Sequence, residues 1–291
     1  MNPPSRAVLP VLGLFGVAVS LGAGHVCARL AFTNGVNILT AATVRSLLAT
    51  ALLLVLLRLR GTAVLPPPHE FKATLALGLL IAVRTLTIQV AVSLLPVTIA
   101  LLVFYTYPFF TGLGAALLGD ARFSWRLAAA LTAAFAGLAL VLGVSVEPVD
   151  PLGVAAALAA SLAFSAALVL TPRLAPGLSA PLRTFFMLAT VALIFSAVAA
   201  GTRGLAWPPT EAGAYGLAGL AVFYATGIIG LFLLLPLLGP VQTAVVLNLE
   251  PVVVAAIAWA ALGEALTATQ IVGAVLVVAA VIHFQVAGRE A

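Results

Sequence analysis

Residues 94–120 read LLPVTIALLVFYTYPFFTGLGAALLGD, and residues 238–264 read LGPVQTAVVLNLEPVVVAAIAWAALGE. Both stretches place a proline near the start, a second proline in the middle, and a glycine followed by an acidic residue at the end. The matched positions, at offsets of 144 or 143 residues, are Pro96 with Pro240, Gly119-Asp120 with Gly263-Glu264, and Pro108 with Pro251. The second half of the chain therefore repeats the first approximately, with two compensating slips of one residue.

The composition of the chain indicates a polytopic membrane protein. Hydrophobic residues make up 64% of the sequence and charged residues 7%, against roughly 25% charged residues in an ordinary soluble domain. The mean hydropathy is +1.26. Each membrane-spanning helix needs about 20 residues, so the spans leave no room for a sizeable aqueous domain. We therefore expect function to lie inside the helical bundle.

Apolar runs separated by proline-rich and glycine-rich connections predict ten membrane-spanning helices. The predicted spans are 8–32, 37–57, 72–94, 97–118, 125–144, 151–172, 179–201, 212–235, 240–262 and 267–286. Five spans per half is an odd number, so the second half crosses the membrane in the opposite sense to the first. Many secondary transporters consist of such inverted repeats. The predicted fold is all-α, with one five-helix repeat over 1–146 and an inverted one over 147–291, packed as one bundle.

Basic residues cluster at the ends of the predicted spans, where they act as topology signals. The side shared by both termini carries Arg6, Arg58, Arg60, Lys72, Arg122, Arg126, Arg173, Arg183 and Arg289. The opposite side carries Arg29, Arg203 and, nearest to it, Arg45. The connection with Glu147 and Asp150 would face outward. We therefore expect both termini in the cytoplasm, and we do not read the net charge of +5 as a nucleic-acid patch.

The single Cys27 has no partner for a disulfide and no metal-ligand spacing around it, so we predict no cofactor and no metal site. Small residues recur at four-residue spacing on two helices in equivalent repeat positions. These stripes are Gly16, Ser20, Gly24 and Ala28 on the first helix, and Gly153, Ala157, Ser161 and Ser165 on the sixth. Such a stripe allows close helix packing. It is compatible with a static contact and with a surface that slides during transport.

The run Glu250-Pro251, Leu262-Gly263-Glu264, Thr267, Gln270 and Gly273 resembles the EamA-type repeat of the drug/metabolite transporter superfamily. The first half echoes it with Pro108, Leu118-Gly119-Asp120 and Gly137. Within the superfamily, the chain is similar to YddG-like amino-acid exporters. The resemblance implies an alternating-access exporter of small organic solutes, with amino acids as the expected substrate. It also implies a central cavity between the repeats and a location in the bacterial inner membrane, in contact with lipid.

Pro108 and Pro251 fall near the middle of their spans. A proline inside a helix removes one backbone hydrogen bond and clashes with the preceding turn, which frees the carbonyls of Phe104 and Leu247. In hydrocarbon a freed carbonyl must face protein, water or a ligand. Each proline is either a simple kink or a hinge beside a cavity.

Glu250 is the one acidic residue predicted deep in a span, and Tyr107 occupies its position in the first repeat. An intramembrane carboxylate is a functional-site hypothesis by default. Glu250 is therefore a candidate coupling group for protons or a partner for a substrate cation, and Arg84 is its candidate counter-ion. The alternative is a structural ion pair.

Other polar and aromatic side chains within the spans are candidates for lining a substrate cavity. They are His25, Thr85, Gln89, Tyr105, Tyr107, Ser165, Tyr224 and Asn248. His25 can titrate near neutral pH, and the amide of Asn248 can hydrogen-bond a solute. Each of these side chains also has a purely structural interpretation, as a packing residue or as a hydrogen bond between helices.

The rival classes are an intramembrane enzyme and a channel. The sequence has no HExxH motif, no GxSxG motif and no pair of aspartates within the spans, so we do not expect an enzyme. A channel or facilitator stays open, because broken helices also occur in channel folds. A carrier shows a transport rate that saturates with solute concentration and can exchange solute in both directions, whereas a pore does not.

Overall fold

The computed structural model describes residues 5–62, 64, 68–120, 124–143, 149–262 and 265–287. Within these residues the secondary structure consists of twelve helices: α1 (Ser5–Thr33), α2 (Ile38–Leu59), α3 (Pro68–Leu94), α4 (Val97–Phe104), α5 (Tyr107–Leu117), α6 (Trp125–Leu142), α7 (Pro151–Leu170), α8 (Ala180–Thr202), α9 (Glu211–Leu238), α10 (Pro240–Leu247), α11 (Glu250–Leu262) and α12 (Ala268–Ala287). The residues named above that lie outside the described part are Arg122, Glu147, Gly263, Glu264 and Arg289, together with the side chain of Arg6.

Ten helical segments of the described chain are long and apolar enough to cross a membrane. Eight are single helices, while α4 with α5 and α10 with α11 each make up one span. The prediction of an all-helical protein with ten spans is confirmed. The ends of the helices also follow the predicted spans closely, except that α3 begins at Pro68 rather than near residue 72. This earlier start places Glu70 inside the first turn of α3.

The helix ends follow ordinary capping chemistry. The Asn37 side chain accepts a hydrogen bond from the Thr40 backbone N–H at 2.8 Å, which starts α2. Ser124 accepts from the Leu127 N–H at 3.2 Å, which starts α6. Both side chains satisfy an amide that has no partner inside its helix. At the other end of α6, Gly143 adopts φ 61°, a left-handed conformation that glycine reaches without strain.

The helices form two compact units. Unit 1 comprises Met1–Ala82 and Thr171–Leu237, and so contains α1, α2, the first part of α3, α8 and nearly all of α9. The small stripe of α1 lies against α9. Gly24 faces Phe223 and Tyr224, and Ser20 donates to the Phe223 carbonyl at 2.9 Å. The stripe therefore takes part in a close contact between two helices.

Unit 2 comprises Val83–Leu170 and Leu238–Ala291, which includes the rest of α3, α4 to α7, and α10 to α12. Here α6 and α12 meet at two glycines. A Cβ atom on Gly137 would lie 2.8 Å from the Gly273 carbonyl oxygen. A side chain at either glycine would separate the helices. Each unit draws helices from both halves of the sequence, so the contact units differ from the sequence repeats.

Candidate functional site

The two proline-containing spans of unit 2 are interrupted at equivalent places. The first is interrupted at Tyr105-Thr106, between α4 and α5, and the second at Asn248-Leu249, between α10 and α11. Pro108 is the second residue of α5, and Pro251 is the second residue of α11. In the first turn of a helix the backbone N–H has no partner within that helix, so a proline there costs no hydrogen bond. The spans are thus divided into two helices rather than kinked. Pro108 and Pro251 offer no N–H to the carbonyls of Phe104 and Leu247, as the sequence predicted.

Four aromatic side chains gather around the first interruption. The Tyr107 and Phe164 rings lie 4.9 Å apart, and the Phe104 ring lies 5.3 Å from the Tyr107 ring. Tyr105 completes the cluster at 5.6 Å from Phe104. All four side chains are buried. Together they form an apolar wall with two phenol hydroxyls, and we call this group the aromatic cluster.

Arg84 of α3 places its guanidinium against this cluster. The guanidinium carbon lies 4.9 Å from the centre of the Phe104 ring and 5.1 Å from that of Phe164. Both distances are typical of cation–π contacts, which stabilise a desolvated cation by about 2 kcal/mol. The two rings therefore hold the positive charge of Arg84 against the aromatic cluster.

Glu250 brings a negative charge to the same place. It is the first residue of α11, so its carboxylate is favoured by the positive end of that helix dipole. Glu250 and Arg84 both interact electrostatically with Tyr105 and with Tyr107. The two charges that the sequence proposed as partners therefore both act on one pair of phenols, and a direct ion pair between them stays a prediction.

Two buried polar atoms near the interruptions have no hydrogen-bond partner. One is the Oδ1 acceptor of Asn248, whose residue is 2% exposed, and the other is the Nε donor of Arg84. An unsatisfied buried polar group costs about 1–3 kcal/mol. In native proteins such groups are usually satisfied by protein, ordered water or a bound ligand.

The remaining candidates of unit 2 lie on the surrounding helices. Thr106, within the first interruption, shares a 3.0 Å hydrogen bond with Ser161 of α7. Ser165 lies one turn further along α7 and is buried. Tyr107 donates a long 3.4 Å hydrogen bond to the Ala244 carbonyl, which joins α5 to α10 one turn before Asn248. On α3, Thr85 is buried and Gln89 is half-buried.

Two predicted cavity residues belong to unit 1 instead. His25 is exposed on α1, and its Nδ1 atom lies 2.9 Å from the Leu21 carbonyl, which accepts the hydrogen bond. Tyr224 is buried on α9, with the Arg45 guanidinium carbon 4.4 Å above its ring. The twelve predicted site residues are therefore divided, with ten in unit 2 and these two in unit 1.

A buried carboxylate that is absent from the predicted site lies in unit 1. Glu70 is 5% exposed, and its Oε1 atom accepts a 2.8 Å hydrogen bond from the Gly177 N–H. Arg183, which is 4% exposed, interacts with it electrostatically. From the sequence, Arg183 is interpreted only as a topology signal, and Glu70 lies outside the third predicted span, 72–94. The start of α3 at Pro68 brings Glu70 into that helix, and only tertiary structure places Arg183 of α8 near it.

Phe104 and Phe164 are the site residues that the sequence did not single out. Each is one apolar residue among many in a chain that is 64% hydrophobic, so no spacing distinguishes it. Their role follows only from the position of the Arg84 guanidinium above both rings.

Ten apolar spans, two of them interrupted beside the half-buried charges of Arg84 and Glu250, define a polytopic membrane protein of the transporter type. The model of the EamA-like transporter family matches residues 8–143 and 151–284. The chain therefore belongs to the EamA-like transporter family, whose members are membrane transporters of small solutes. No curated protein shows significant sequence similarity to it.

Among the solved structures that match this chain, a crystal structure of another protein has a TM-score of 0.79 at 20% sequence identity. The similarity covers 97% of this chain and 98% of the other. At this identity the likeness supports the fold alone.

Proposed function

We propose that the protein exports amino acids across a bacterial inner membrane by alternating access, with both termini in the cytoplasm. Membership of the EamA-like family supports transport of small solutes. The resemblance to YddG-like exporters supports amino acids as the substrate. The competing functions are a solute channel or facilitator, and an exporter of other metabolites or drugs.

The substrate class rests on the two unsatisfied atoms of unit 2. Arg84 Nε is a buried donor, and Asn248 Oδ1 is a buried acceptor. An amino acid brings the complementary pair, since its carboxylate accepts hydrogen bonds and its ammonium group donates them. Binding would satisfy both protein atoms and remove a cost of about 1–3 kcal/mol for each. A solute with only one of the two groups would leave one atom unpaired.

The aromatic cluster supports a broad range of side chains. Phe104, Phe164 and the rings of Tyr105 and Tyr107 offer apolar contact without directional demands. A site that recognises mainly the shared backbone groups loses only about 1–3 kcal/mol for one methylene gained or lost. Neutral amino acids of different sizes should therefore all be transported.

The movement proposed for transport is located at the interruptions. The spans α4–α5 and α10–α11 come from different repeats, and the Tyr107–Ala244 hydrogen bond joins them inside unit 2. Pro108 and Pro251 would act as hinges at which the half-helices change angle. Glu250, at one hinge, would bind the coupling proton.

Proteoliposomes preloaded with labelled amino acids test this proposal. We expect efflux of leucine and phenylalanine that saturates with concentration and accelerates when unlabelled amino acid is present outside. 4-Methylpentanoate, which lacks the ammonium group, and isopentylamine, which lacks the carboxylate, should not produce this acceleration. The proposal fails if no amino acid leaves faster than from protein-free liposomes, or if efflux never saturates.

The variant Asn248→Leu separates a binding role from a structural one. It removes the acceptor and keeps the volume, so we expect efflux at low substrate to fall at least about tenfold, the equivalent of one hydrogen bond to a charged group. The melting temperature should stay unchanged or rise, because a buried unsatisfied atom is removed. Ser93→Ala, an exposed hydroxyl on α3, is the matched control and should behave as the parent.

A further inference from the structure

Unit 1 contains a buried contact between opposite charges that the proposed transport site does not use. Glu70 of α3 is 5% exposed, Arg183 of α8 is 4% exposed, and the two side chains interact electrostatically. Glu70 Oε1 accepts the 2.8 Å hydrogen bond from the Gly177 N–H, in the connection between α7 and α8. We call Glu70, Gly177 and Arg183 the charged contact. It joins the first half of the chain to the second.

The charged contact depends on the small size of Gly177. A Cβ atom on Gly177 would lie 2.6 Å from Glu70 Oε1, so a larger residue would displace the carboxylate. Ala175 and Leu178, on either side of Gly177, belong to a buried apolar cluster with Leu57 at the end of α2 and with Leu182. By binding the Gly177 N–H, the carboxylate holds this connection in contact with the apolar cluster.

The charged contact is incomplete in this conformation. Glu70 Oε2 is a buried acceptor and Arg183 Nε is a buried donor, and neither has a hydrogen-bond partner among the described residues. The two atoms are complementary, and both side chains are more than nine-tenths buried. A hydrogen bond from Arg183 Nε to the Glu70 carboxylate would be charge-assisted, which is the stronger kind in proteins. The pair therefore has a second favourable arrangement that differs from the present one.

The corresponding contact at the other end of α2 consists of neutral hydrogen bonds. It joins the connection between α1 and α2 to the segment that leads into α9. Thr210 donates to Asn34 Oδ1 at 2.8 Å, and Thr40 accepts from the Ala206 N–H at 2.8 Å. We call these bonds the neutral contact. Since such elements can be held together without charge, a static role does not account for the buried charges of Glu70 and Arg183.

We propose that the charged contact is a latch with two arrangements, and that transport requires the change from one to the other. In the first, Glu70 binds the Gly177 N–H. In the second, Glu70 pairs directly with Arg183 and releases Gly177, which frees the connection between α7 and α8 from the apolar cluster. Glu70 and Arg84 belong to the same helix, α3, so a shift of α3 changes both the latch and the proposed transport site. The link to transport rests on the proposed function, whereas the two arrangements rest on the charged contact itself.

The double variant Glu70→Gln with Arg183→Met removes the second arrangement and keeps the first. Glutamine still accepts from the Gly177 N–H, and methionine fills the space of Arg183 without its charge. Replacing a buried ion pair by neutral side chains is often neutral or stabilising, so the melting temperature should stay the same or rise. Exchange of leucine in proteoliposomes should slow about tenfold, the equivalent of one hydrogen bond to a charged group. Thr40→Val, which cuts the neutral contact, should lower the melting temperature and leave exchange per folded protein unchanged.

A thiol in the apolar cluster reports the latch without any substrate. In a Cys27→Ser background, Ala175→Cys gives the chain a single cysteine at a position that is 4% exposed. We expect N-ethylmaleimide to label this thiol when Gly177 is released, and the double variant to slow labelling about tenfold. Ala199→Cys, at an equally buried alanine of α8, is the matched control. Its labelling rate should be the same with and without the double substitution.

Gly177→Ala shifts the latch in the opposite direction, and it tests the proposal if the double variant does not fold. The added Cβ displaces the Glu70 carboxylate, and the direct pair with Arg183 replaces the lost hydrogen bond. Labelling of the Ala175→Cys thiol should accelerate while the melting temperature stays close to that of the parent. Faster labelling with a clear fall in melting temperature would show local unfolding instead of a second arrangement, and would overturn the proposal.

Failure of the latch and failure of the proposed function give different results. If the parent exchanges leucine and the double variant matches it in exchange and in thiol labelling, the latch is wrong and the proposed function stands. Slower labelling with unchanged exchange would separate the contact from transport and also overturn the latch. If the double variant slows labelling of the Ala175→Cys thiol but the parent transports no amino acid, the two arrangements are confirmed and the proposed export is wrong.

Discussion

Glu250 begins α11 directly before Pro251, and the first repeat has Tyr107 in the same place at the start of α5. A carboxylate at the start of a helix is stabilised by the helix dipole, which alone would justify an acidic residue there. Transport coupling needs more, namely a proton that binds and leaves during the cycle. The position of Glu250 among Arg84, Tyr105 and Tyr107 supplies groups that would respond to such a change of charge.

At the residue scale we therefore predict that Glu250→Gln uncouples transport from protons. Glutamine keeps the size and a hydrogen-bond acceptor but cannot titrate. A gradient of one pH unit supplies about 1.4 kcal/mol per proton, so the parent protein should concentrate leucine about tenfold in liposomes. The variant should only equalise the concentrations. Equal accumulation by the parent and the variant would assign Glu250 a structural role.

At the scale of the element, the interruption between α10 and α11 depends on Pro251. Pro251→Ala restores an N–H that can bond to the Leu247 carbonyl, so the break between α10 and α11 can close into one continuous helix. We expect a more stable, continuous span that binds leucine but exchanges it more slowly. Pro236→Ala in α9, a proline inside an uninterrupted helix, is the control and should leave exchange unchanged. Exchange at the parental rate after Pro251→Ala would mean that the break is not a hinge.

The contact between α6 and α12 gives a second prediction at this scale. Gly137→Ala places a methyl group 2.8 Å from the Gly273 carbonyl oxygen and from Val277. Overpacking of this kind costs about 1–3 kcal/mol, so the melting temperature in detergent should fall. Gly16→Ala on α1, whose Cβ would have nothing within 4 Å, should not lower it. A Gly137→Ala protein as stable as the parent would show that these helices separate without cost.

At the scale of the whole molecule, orientation follows from the number of spans and the bias of Lys and Arg. Ten spans return the chain to the side on which it began, and nine basic residues against three favour the cytoplasm for that side. A reporter that is active only in the cytoplasm, fused after Ala291, should be active. Activity of a periplasm-dependent reporter at the same position would reverse the orientation.

The ten spans could be predicted from the sequence because their cause is local: a run of apolar residues must satisfy its backbone within one helix in a bilayer. Pro108 and Pro251 marked where a span could break, since a proline removes an N–H wherever it stands. Pro236 inside the uninterrupted α9 shows that residue type alone does not decide whether a span divides. Tyr105, Tyr107 and Glu250 could be singled out in the sequence because polar groups are few in an apolar span.

The partners of those residues depended on tertiary structure. In the sequence, nothing distinguishes Phe104 and Phe164 from other apolar residues; in the structure, the Arg84 guanidinium lies over both rings. Likewise, the sequence shows Arg45 only as a topology signal, whereas the structure places it over the Tyr224 ring. The grouping of helices from both halves into each unit is likewise a matter of packing. Apolar helices pack through van der Waals contact and small residues, and in a chain that is 64% hydrophobic many pairings satisfy the same sequence pattern. Only the three-dimensional fit of the side chains selects one of them.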